Sequence, residues 1–432
     1  MLAAPLMRGG NRHAALIVLE ALGLVALVSL FAQPTARARL SWPGRMASAA
    51  QWLLVVSPAV LAIVYLVPIP LAAWSALPGR EFYVRAMGEA GVTAPPWLAI
   101  SLVPQVTAAS LLAGIPMVAA FLVGRACKLE QLKVLARIVV CVAWFQVVLG
   151  LLQVASGQDS PLYFGAGSQR PVGTFANSNH YANYLAAALI LYIWQAFEPR
   201  SITRHENAIA WFAGGMLLVL GIVISRSRGA AATGLSAAVV AFAWAAAARS
   251  EDPGRKRRMM LLLPAAAATI TALVGLDFLL SRLSSADLAG SASFRASLTR
   301  TTLAGAAELW PLGAGWGAYP SAYPRFQSAD IPGFANHAHQ DYAEMLFDGG
   351  VFALILVAAF VFLAAPRAAS LVRTSAGEQR ETRASALCGL GLLGFLLHSL
   401  VEFNMHIPAN AILASLLAGV YLRPLDEEVS RP

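Results

Sequence analysis

Four short polar clusters interrupt a largely apolar chain, and they hold the residue types that could do chemistry. The clusters are 170–181, 225–230, 311–326 and 336–344. Arginine presents a planar fork of donors that fits a phosphate or diphosphate. A histidine can accept a proton from an attacking hydroxyl near neutral pH, and asparagine can hydrogen bond to hydroxyl groups. The clusters therefore predict a site for a substrate that carries a diphosphate and sugar hydroxyls.

The histidines and arginines of these clusters are the candidate catalytic residues. His337 and His339 lie beside acids and a tyrosine, so we predict that at least one of them belongs to the site. Arg226 and Arg228 lie in a short turn between two apolar runs, where they could bind an anionic substrate or only lipid phosphates. His180 could contact the substrate or only cap a helix. Further candidates for substrate binding are Arg170, Asn177, Asn179, Arg325 and Tyr342.

Other patterns favour structural roles. No CxxC pair occurs among the three cysteines, so we expect neither a disulfide framework nor a zinc site. No strand precedes the glycines of 313–317, which are therefore predicted to form turns and not a dinucleotide site. For a few polar residues in or near apolar runs, hydrogen bonds between helices are as good an interpretation as a direct role. These residues are Glu20, Asp277, His398 and Glu402.

The composition indicates a membrane protein. Of the 432 residues, 58% are hydrophobic and 12% are charged, whereas a soluble domain carries about 25% charge. The apolar residues occur in runs close to the roughly 20 residues that a bilayer-spanning helix needs. The net charge of +9 resides mostly in short loops, which indicates an orientation signal and argues against nucleic-acid binding.

We predict an all-α, polytopic bundle of about 11–12 transmembrane helices, forming one membrane domain over residues 1–432. Apolar runs predict eleven spans, at 14–32, 50–74, 105–124, 134–154, 180–197, 207–225, 230–248, 259–280, 343–365, 385–402 and 407–422. The 47–77 stretch is too long for one simple helix and too short for two, so the count could differ by one.

Basic loops predict the orientation of the bundle. Counted from the cluster 255–258, the basic loops near 33–48, 125–133, 198–206 and 366–384 fall on one side together with Arg423, and this side should be cytoplasmic. The four polar clusters fall on the other side. One feature disagrees, because eleven spans put the N-terminus outside although it carries Arg8 and Arg12.

The segment 281–342 lies on the outer side and is predicted to be a long non-helical loop that carries part of the site. It is rich in Ser, Gly, Pro and aromatic residues. Loops of this length without a function of their own are uncommon.

In their order along the chain, the four clusters resemble the O-antigen ligase family, which groups lipopolysaccharide O-antigen ligases with glycan polymerases and protein O-oligosaccharyltransferases. The resemblance covers about 170–350 and rests on four motifs. These are Gly173-Thr174-Phe175-Ala176-Asn177-Ser178-Asn179-His180, Ser227-Arg228-Gly229-Ala230, the 313–317 glycines with Tyr323-Pro324-Arg325-Phe326, and His337-Ala338-His339-Gln340-Asp341-Tyr342 before Gly349-Gly350.

The resemblance implies a fold like that of C-type glycosyltransferases and a site on the periplasmic side of a bacterial inner membrane. It implies a glycan donor on undecaprenyl diphosphate, and a transfer to a hydroxyl of lipid A-core or another glycan acceptor without metal or nucleotide. His339 matches the family's essential histidine, with Gly349 downstream, although Gln340 replaces the usual Asn and His337 stays a rival. Family arginines match Arg226 or Arg228, and by position only Arg295 or Arg300.

Two other functions stay open at this point. A polymerase would use the same chemistry with a second lipid-linked glycan as acceptor. A secondary transporter of an anionic solute would instead place charged residues deep in its spans and break helices in paired positions.

Overall fold

The computed structural model describes residues 1–40, 45–157, 159–164, 170–198, 205–250, 286–373 and 380–423. Between 251 and 285 it describes only Asp252, Gly254, Arg258, Met259 and Leu261. The predicted span at 259–280 and most of the basic cluster 255–258 therefore lie outside the described residues.

The chain folds as an all-α membrane protein, as predicted from its apolar runs. The helices of its first half are α1 (Ala3–Leu6), α2 (His13–Ala32), α3 (Pro34–Leu40), α4 (Arg45–Leu66), α5 (Leu71–Ser75), α6 (Glu81–Glu89), α7 (Pro104–Ala113), α8 (Ile115–Ala126) and α9 (Leu129–Ala155). Those of the second half are α10 (Ser178–Ala196), α11 (His205–Ile224), α12 (Arg228–Arg249), α13 (Ala286–Glu308), α14 (Tyr319–Ala322), α15 (Asp341–Arg373), α16 (Arg380–His398) and α17 (Pro408–Tyr421).

Ten of the eleven predicted spans coincide with helices in the described residues. Five of these helices are long and apolar enough to cross a bilayer by themselves: α2, the pair α7–α8, α9, α12 and α15. The ambiguous 47–77 stretch contains one long helix, α4. It ends at Leu66 because Pro68 and Pro70 cannot continue a helix, and the chain forms the strand β1 (Pro68–Pro70) instead. This strand pairs antiparallel with β2 (Trp97–Ala99).

Helix α10 forms the centre of the bundle. Nearly all of its residues are buried, and it packs against α9, α11, α12, α16 and α17. Glycines allow the close crossing of α8 and α17: a Cβ on Gly419 would lie 2.0 Å from the carbonyl oxygen of Phe121, and one on Gly124 would lie 2.4 Å from that of Leu416. Small residues permit such close approaches between membrane helices.

The basic loops meet at one end of the bundle, which we call the Arg423 end. The guanidinium of Arg423 donates to the carbonyl oxygen of Cys127 at 2.6 Å, and that of Arg125 donates to the carbonyl oxygen of Leu422 at 2.6 Å. Arg39 also donates to Cys127, and Arg367 donates to the carbonyl oxygen of Tyr421. The loops near 33–48, 125–133 and 366–384 therefore lie together with Arg423 at one end, as predicted, whereas residues 199–204 and most of the cluster 255–258 lie outside the described residues.

The N-terminal segment lies at the other end, which we call the His339 end. The carbonyl oxygen of Pro5 accepts a hydrogen bond from the hydroxyl of Thr174, and Gly9 and Gly10 pack against Ile407 and Pro408. The segment that carries Arg8 and Arg12 therefore lies at the His339 end.

The prediction that 281–342 is non-helical is wrong. Its residues 286–308 form the 23-residue helix α13, which packs against α15. This helix is rich in Ser, Thr and Arg, so it gives no hydropathy signal in the sequence. The glycines that follow do form turns as predicted, because Gly313, Gly315 and Gly317 all have positive φ.

Candidate functional site

A histidine and a buried carboxylate meet at the His339 end of the bundle. His339 lies just before α15, and Glu402 lies in the turn 399–407 between α16 and α17. Nδ1 of His339 is 2.8 Å from Oε1 of Glu402, and the side chain of Glu402 is fully buried whereas that of His339 is 26% exposed. A carboxylate on Nδ1 favours the tautomer that protonates this nitrogen, which leaves Nε2 free to accept a proton.

The backbone at His339 is held in a strained conformation. Its φ of 51° lies in the left-handed region, which residues other than glycine adopt rarely. Among the described residues only Arg8, Phe164 and Arg226 share this feature outside the glycines. Strain of this kind persists where surrounding contacts enforce it, and it is frequent at functional sites.

Glu402 gathers side chains from three further parts of the chain. Its Oε2 accepts hydrogen bonds from the amide of Asn179 and from Nη2 of Arg295, the latter at 3.2 Å. Nε2 of the buried His180 lies 3.9 Å from Oε1. The structure therefore brings together four predicted residues, His339, Asn179, His180 and Arg295, around a carboxylate that was not predicted as a site residue.

A second histidine–carboxylate group adjoins the first. Nδ1 of His337 and Nε2 of His406 lie 2.9 and 3.1 Å from the same oxygen of Glu344, and Nδ1 of His406 lies 3.0 Å from Asp341. Burial alone would lower the pKa of His406, but the two carboxylates outweigh it and raise the pKa to about 10. His406 is therefore a cation at neutral pH.

The ring of Phe403 connects the two groups. Its centroid lies 4.3 Å from that of His337, 4.6 Å from that of His180 and 4.8 Å from that of His339. The turn 399–407 thus supplies Glu402, Phe403 and His406, and it fixes the position of both predicted histidines.

Three ligand atoms of the second group lie close enough together to hold a metal ion. They belong to His337, Glu344 and His406 and lie within 4.8 Å of one another. Each of these atoms already has a hydrogen-bond partner within the protein, as described above.

The basic turn 225–230 packs beside the Glu402 cluster. The hydroxyl of Ser227 caps the first turn of α12, and a Cβ on Gly229 would lie 2.6 Å from Nε2 of His398, on the last turn of the helix that leads to Glu402. Arg226 is exposed, with a φ of 54°, and Arg228 is half-buried. Both predicted arginines therefore lie at the His339 end.

Two glutamines of α9 hold the motif that carries Asn179. Oε1 of Gln153 accepts from the backbone N–H groups of Val172 and Gly173, both at 2.9 Å, and Oε1 of Gln146 accepts from that of Thr174 at 2.8 Å. Neither glutamine was predicted as a functional residue from the sequence. Their spacing of seven residues, which places them on one face of an apolar helix, is the signal that could have revealed them.

The remaining predicted residues lie away from Glu402 or at its margin. Arg325 pairs with Glu308, donates to the carbonyl oxygen of Gly79 and lies 4.2 Å from the ring of Phe82. Arg300 contacts Ser297, and the hydroxyl of Tyr342 donates to the carbonyl oxygen of Leu396. Arg170 is exposed before the Val172–Thr174 turn, and Asn177 caps α10 through the N–H of Asn179.

Comparison with known proteins supports one family. Residues 213–358 match the family model described as O-Antigen ligase. No curated protein matches the chain. The matched residues include the basic turn, α13 and both histidines of the 336–344 cluster, so the predicted family resemblance is confirmed.

Proposed function

We propose that this chain, whose residues 213–358 match the O-antigen ligase family, is a membrane glycosyltransferase that transfers a glycan from undecaprenyl diphosphate to an acceptor hydroxyl. The acceptor in this proposal is lipid A-core, which makes the reaction O-antigen ligation in lipopolysaccharide biosynthesis. The reaction takes place on the periplasmic side of the bacterial inner membrane and uses neither metal nor cofactor.

The hydrogen bond between His339 and Glu402 is the observation that carries the proposal. It joins a partly exposed imidazole to a buried carboxylate at the end of the bundle where Arg226, Arg228 and Arg295 also lie. A base beside several guanidinium groups suits a reaction in which a hydroxyl loses a proton while a diphosphate departs.

The reaction follows from this arrangement. Nε2 of His339 takes the proton of the acceptor hydroxyl, and the oxygen attacks the anomeric carbon of the donor sugar. The bond from that carbon to the diphosphate breaks on the opposite face, so the configuration inverts and undecaprenyl diphosphate leaves with the electron pair. Arg228, Arg226 and Arg295 balance the charge of the departing diphosphate, a contribution that is usually larger than the ~10²–10⁴-fold of a positioned base.

The charge distribution supports the periplasmic orientation. The Arg423 end gathers Arg39, Arg125, Arg367 and Arg423, and an excess of Lys and Arg in short loops favours the cytoplasm. The His339 end then faces the periplasm, where a lipid-linked donor can bind with its diphosphate at the membrane boundary.

Transfer assays with two single variants test the assignment of the base. His339→Ala should lose most transfer from a purified lipid-linked donor, about 10²-fold or more, because it removes the imidazole that takes the acceptor proton. His337→Ala keeps Glu402 and His339 and serves as the matched comparison. Near-normal transfer by His339→Ala together with loss in His337→Ala would move the role to His337.

The products of a deletion strain separate ligation from polymerisation. A ligase predicts loss of long-chain lipopolysaccharide with accumulation of lipid-linked polymer. Lipopolysaccharide that carries a single repeat unit would instead identify a polymerase.

A further inference from the structure

Arg295 contacts the buried carboxylate of Glu402 while it stays open to solvent. Its Nη2 lies 3.2 Å from Oε2 of Glu402, and its Nη1 donates to the carbonyl oxygen of Val401 at 3.2 Å. The side chain of Arg295 is 41% exposed and that of Glu402 is 0% exposed. A guanidinium has five N–H donors, so these two contacts leave donors for an anion that arrives from solvent.

Glu402 connects this arginine to His339. The carboxylate contacts Nδ1 of His339 with one oxygen and Arg295 with the other. Because the carboxylate is buried, water screens the charges on its two sides weakly. A change of charge at Arg295 therefore changes how strongly the imidazole of His339 binds a proton.

Building on the proposed function, we propose that Arg295 and Glu402 couple the binding of the donor's diphosphate to the ability of His339 to accept a proton. The diphosphate binds the open side of Arg295 and offsets the cation that faces Glu402. The imidazole then becomes a stronger base, so His339 deprotonates the acceptor most readily when the donor is in place.

The expected strength of the coupling follows from Coulomb's law. An anion about 7 Å from an imidazole raises the imidazole pKa by about one unit at an effective dielectric constant of about 40, between the values of about 20 for protein surfaces and about 80 for water. Coupling is reciprocal, so diphosphate must bind about tenfold more tightly when His339 is protonated.

Other titratable groups face the same carboxylate and must be separated from His339. His180 approaches it from α10, His398 adjoins it from α16, and His337 lies on the ring of Phe403 with Glu344 and His406 behind it. Substitution of His339 alone isolates its share of any pH dependence.

Binding of inorganic diphosphate to the full chain in lipid nanodiscs tests the coupling. Affinity is measured by calorimetry from about pH 5.5 to about pH 8.5 for wild type, His339→Gln and the control His13→Gln, which changes an exposed histidine of α2. Because diphosphate titrates in the same way with all three proteins, its own pH dependence cancels when their affinities are compared as ratios. We expect the wild type to gain about tenfold in affinity over His339→Gln as the pH falls, with His13→Gln like wild type.

Two variants of Arg295 complete the test. Arg295→Gln should weaken binding and abolish the difference that His339 makes, whereas Arg295→Lys keeps the charge and should retain part of it. The thermal unfolding of each variant shows that it is folded. Three results would each overturn the coupling. The affinity for diphosphate could depend on pH equally in wild type and His339→Gln, Arg295→Gln could bind diphosphate as tightly as wild type, or wild type could fail to bind it. Glycan transfer is measured on the same samples, and its absence beside intact coupling would count against the proposed function alone.

Discussion

Glu402 is the residue on which the rest of the candidate site depends. It is fully buried, yet it accepts hydrogen bonds from His339, Asn179 and Arg295. Removing one member of such a buried charged network leaves the others without a partner. A carboxylate behind a catalytic histidine also orients the ring and favours its reactive tautomer.

Replacing Glu402 should lower activity without removing the base. We expect Glu402→Gln to reduce the initial rate of glycan transfer by about 10–100-fold, because the amide orients the ring but supplies no charge. Glu308→Gln is the matched control, since Glu308 pairs with Arg325 away from the cluster. A rate in Glu402→Gln equal to that of Glu308→Gln would contradict a positioning role.

The arginine of the basic turn should need its fork of donors. Arg228→Lys keeps the charge but cannot form two parallel hydrogen bonds to a diphosphate, so we expect the transfer rate to fall about tenfold or more. Arg300→Lys changes an exposed arginine that contacts Ser297 and should behave like wild type. The opposite ranking of the two variants in a transfer assay would move this role from the basic turn to Arg300.

Helix α15 shows how one element positions the site. It begins at Asp341, two residues after His339, and its regular geometry is interrupted at Gly350, with φ 51° and ψ −132°. The N–H of Val351 donates to the carbonyl oxygen of Pro311 at 2.8 Å, and a Cβ on Gly350 would lie 2.0 Å from that oxygen. The interruption therefore ties the helix that follows His339 to the turns of 311–317.

Gly350→Ala should strongly destabilise the protein. The added methyl would collide with backbone, which cannot yield as a flexible side chain would, and the positive φ adds strain. Gly88→Ala on α6 is the control, because a Cβ there meets nothing within 4 Å. In detergent, the unfolding temperature should fall clearly for Gly350→Ala and change little for Gly88→Ala. Similar unfolding temperatures for the two variants would contradict the tight packing at Gly350.

The elements differ in how well the sequence predicts them. Apolar runs predict α2, α9 and α15 because a bilayer requires long apolar helices, whereas α13 is polar and escapes that signal. His339 could be predicted because its neighbours form a compact motif. Glu402 could not be assigned, because it lies 63 positions further along the chain, where one acid near a span end has several interpretations.

For the whole molecule, the charged clusters at the His339 end should make stability depend on pH. The pKa of His406 is raised to about 10 by Glu344 and Asp341 in spite of burial. Its ordinary value is about 6.5, so the stability that it contributes is fully present below about pH 6.5 and is lost as the pH rises towards 10.

We therefore expect the unfolding temperature to fall by a few degrees between about pH 7 and about pH 10. His406→Gln should show a smaller fall, whereas His13→Gln, at an exposed position in α2, should keep the wild-type slope. Scanning fluorimetry in detergent measures all three. Parallel curves for wild type and His406→Gln would show that His406 carries no such charge.

The turn 399–407 also bears on whether the proposed catalytic arrangement could be transferred to another protein. The segment that matches the family spans 213–358, so it contains His339 and Arg295 but ends before Glu402 and begins after Asn179. A fragment cut to those limits would carry a histidine without its carboxylate. If the segment were grafted onto another membrane protein, the proposed reaction would be restored only if that protein supplied an equivalent acid from a later turn. The part of this chain that would have to be transferred therefore reaches from α10 to α17.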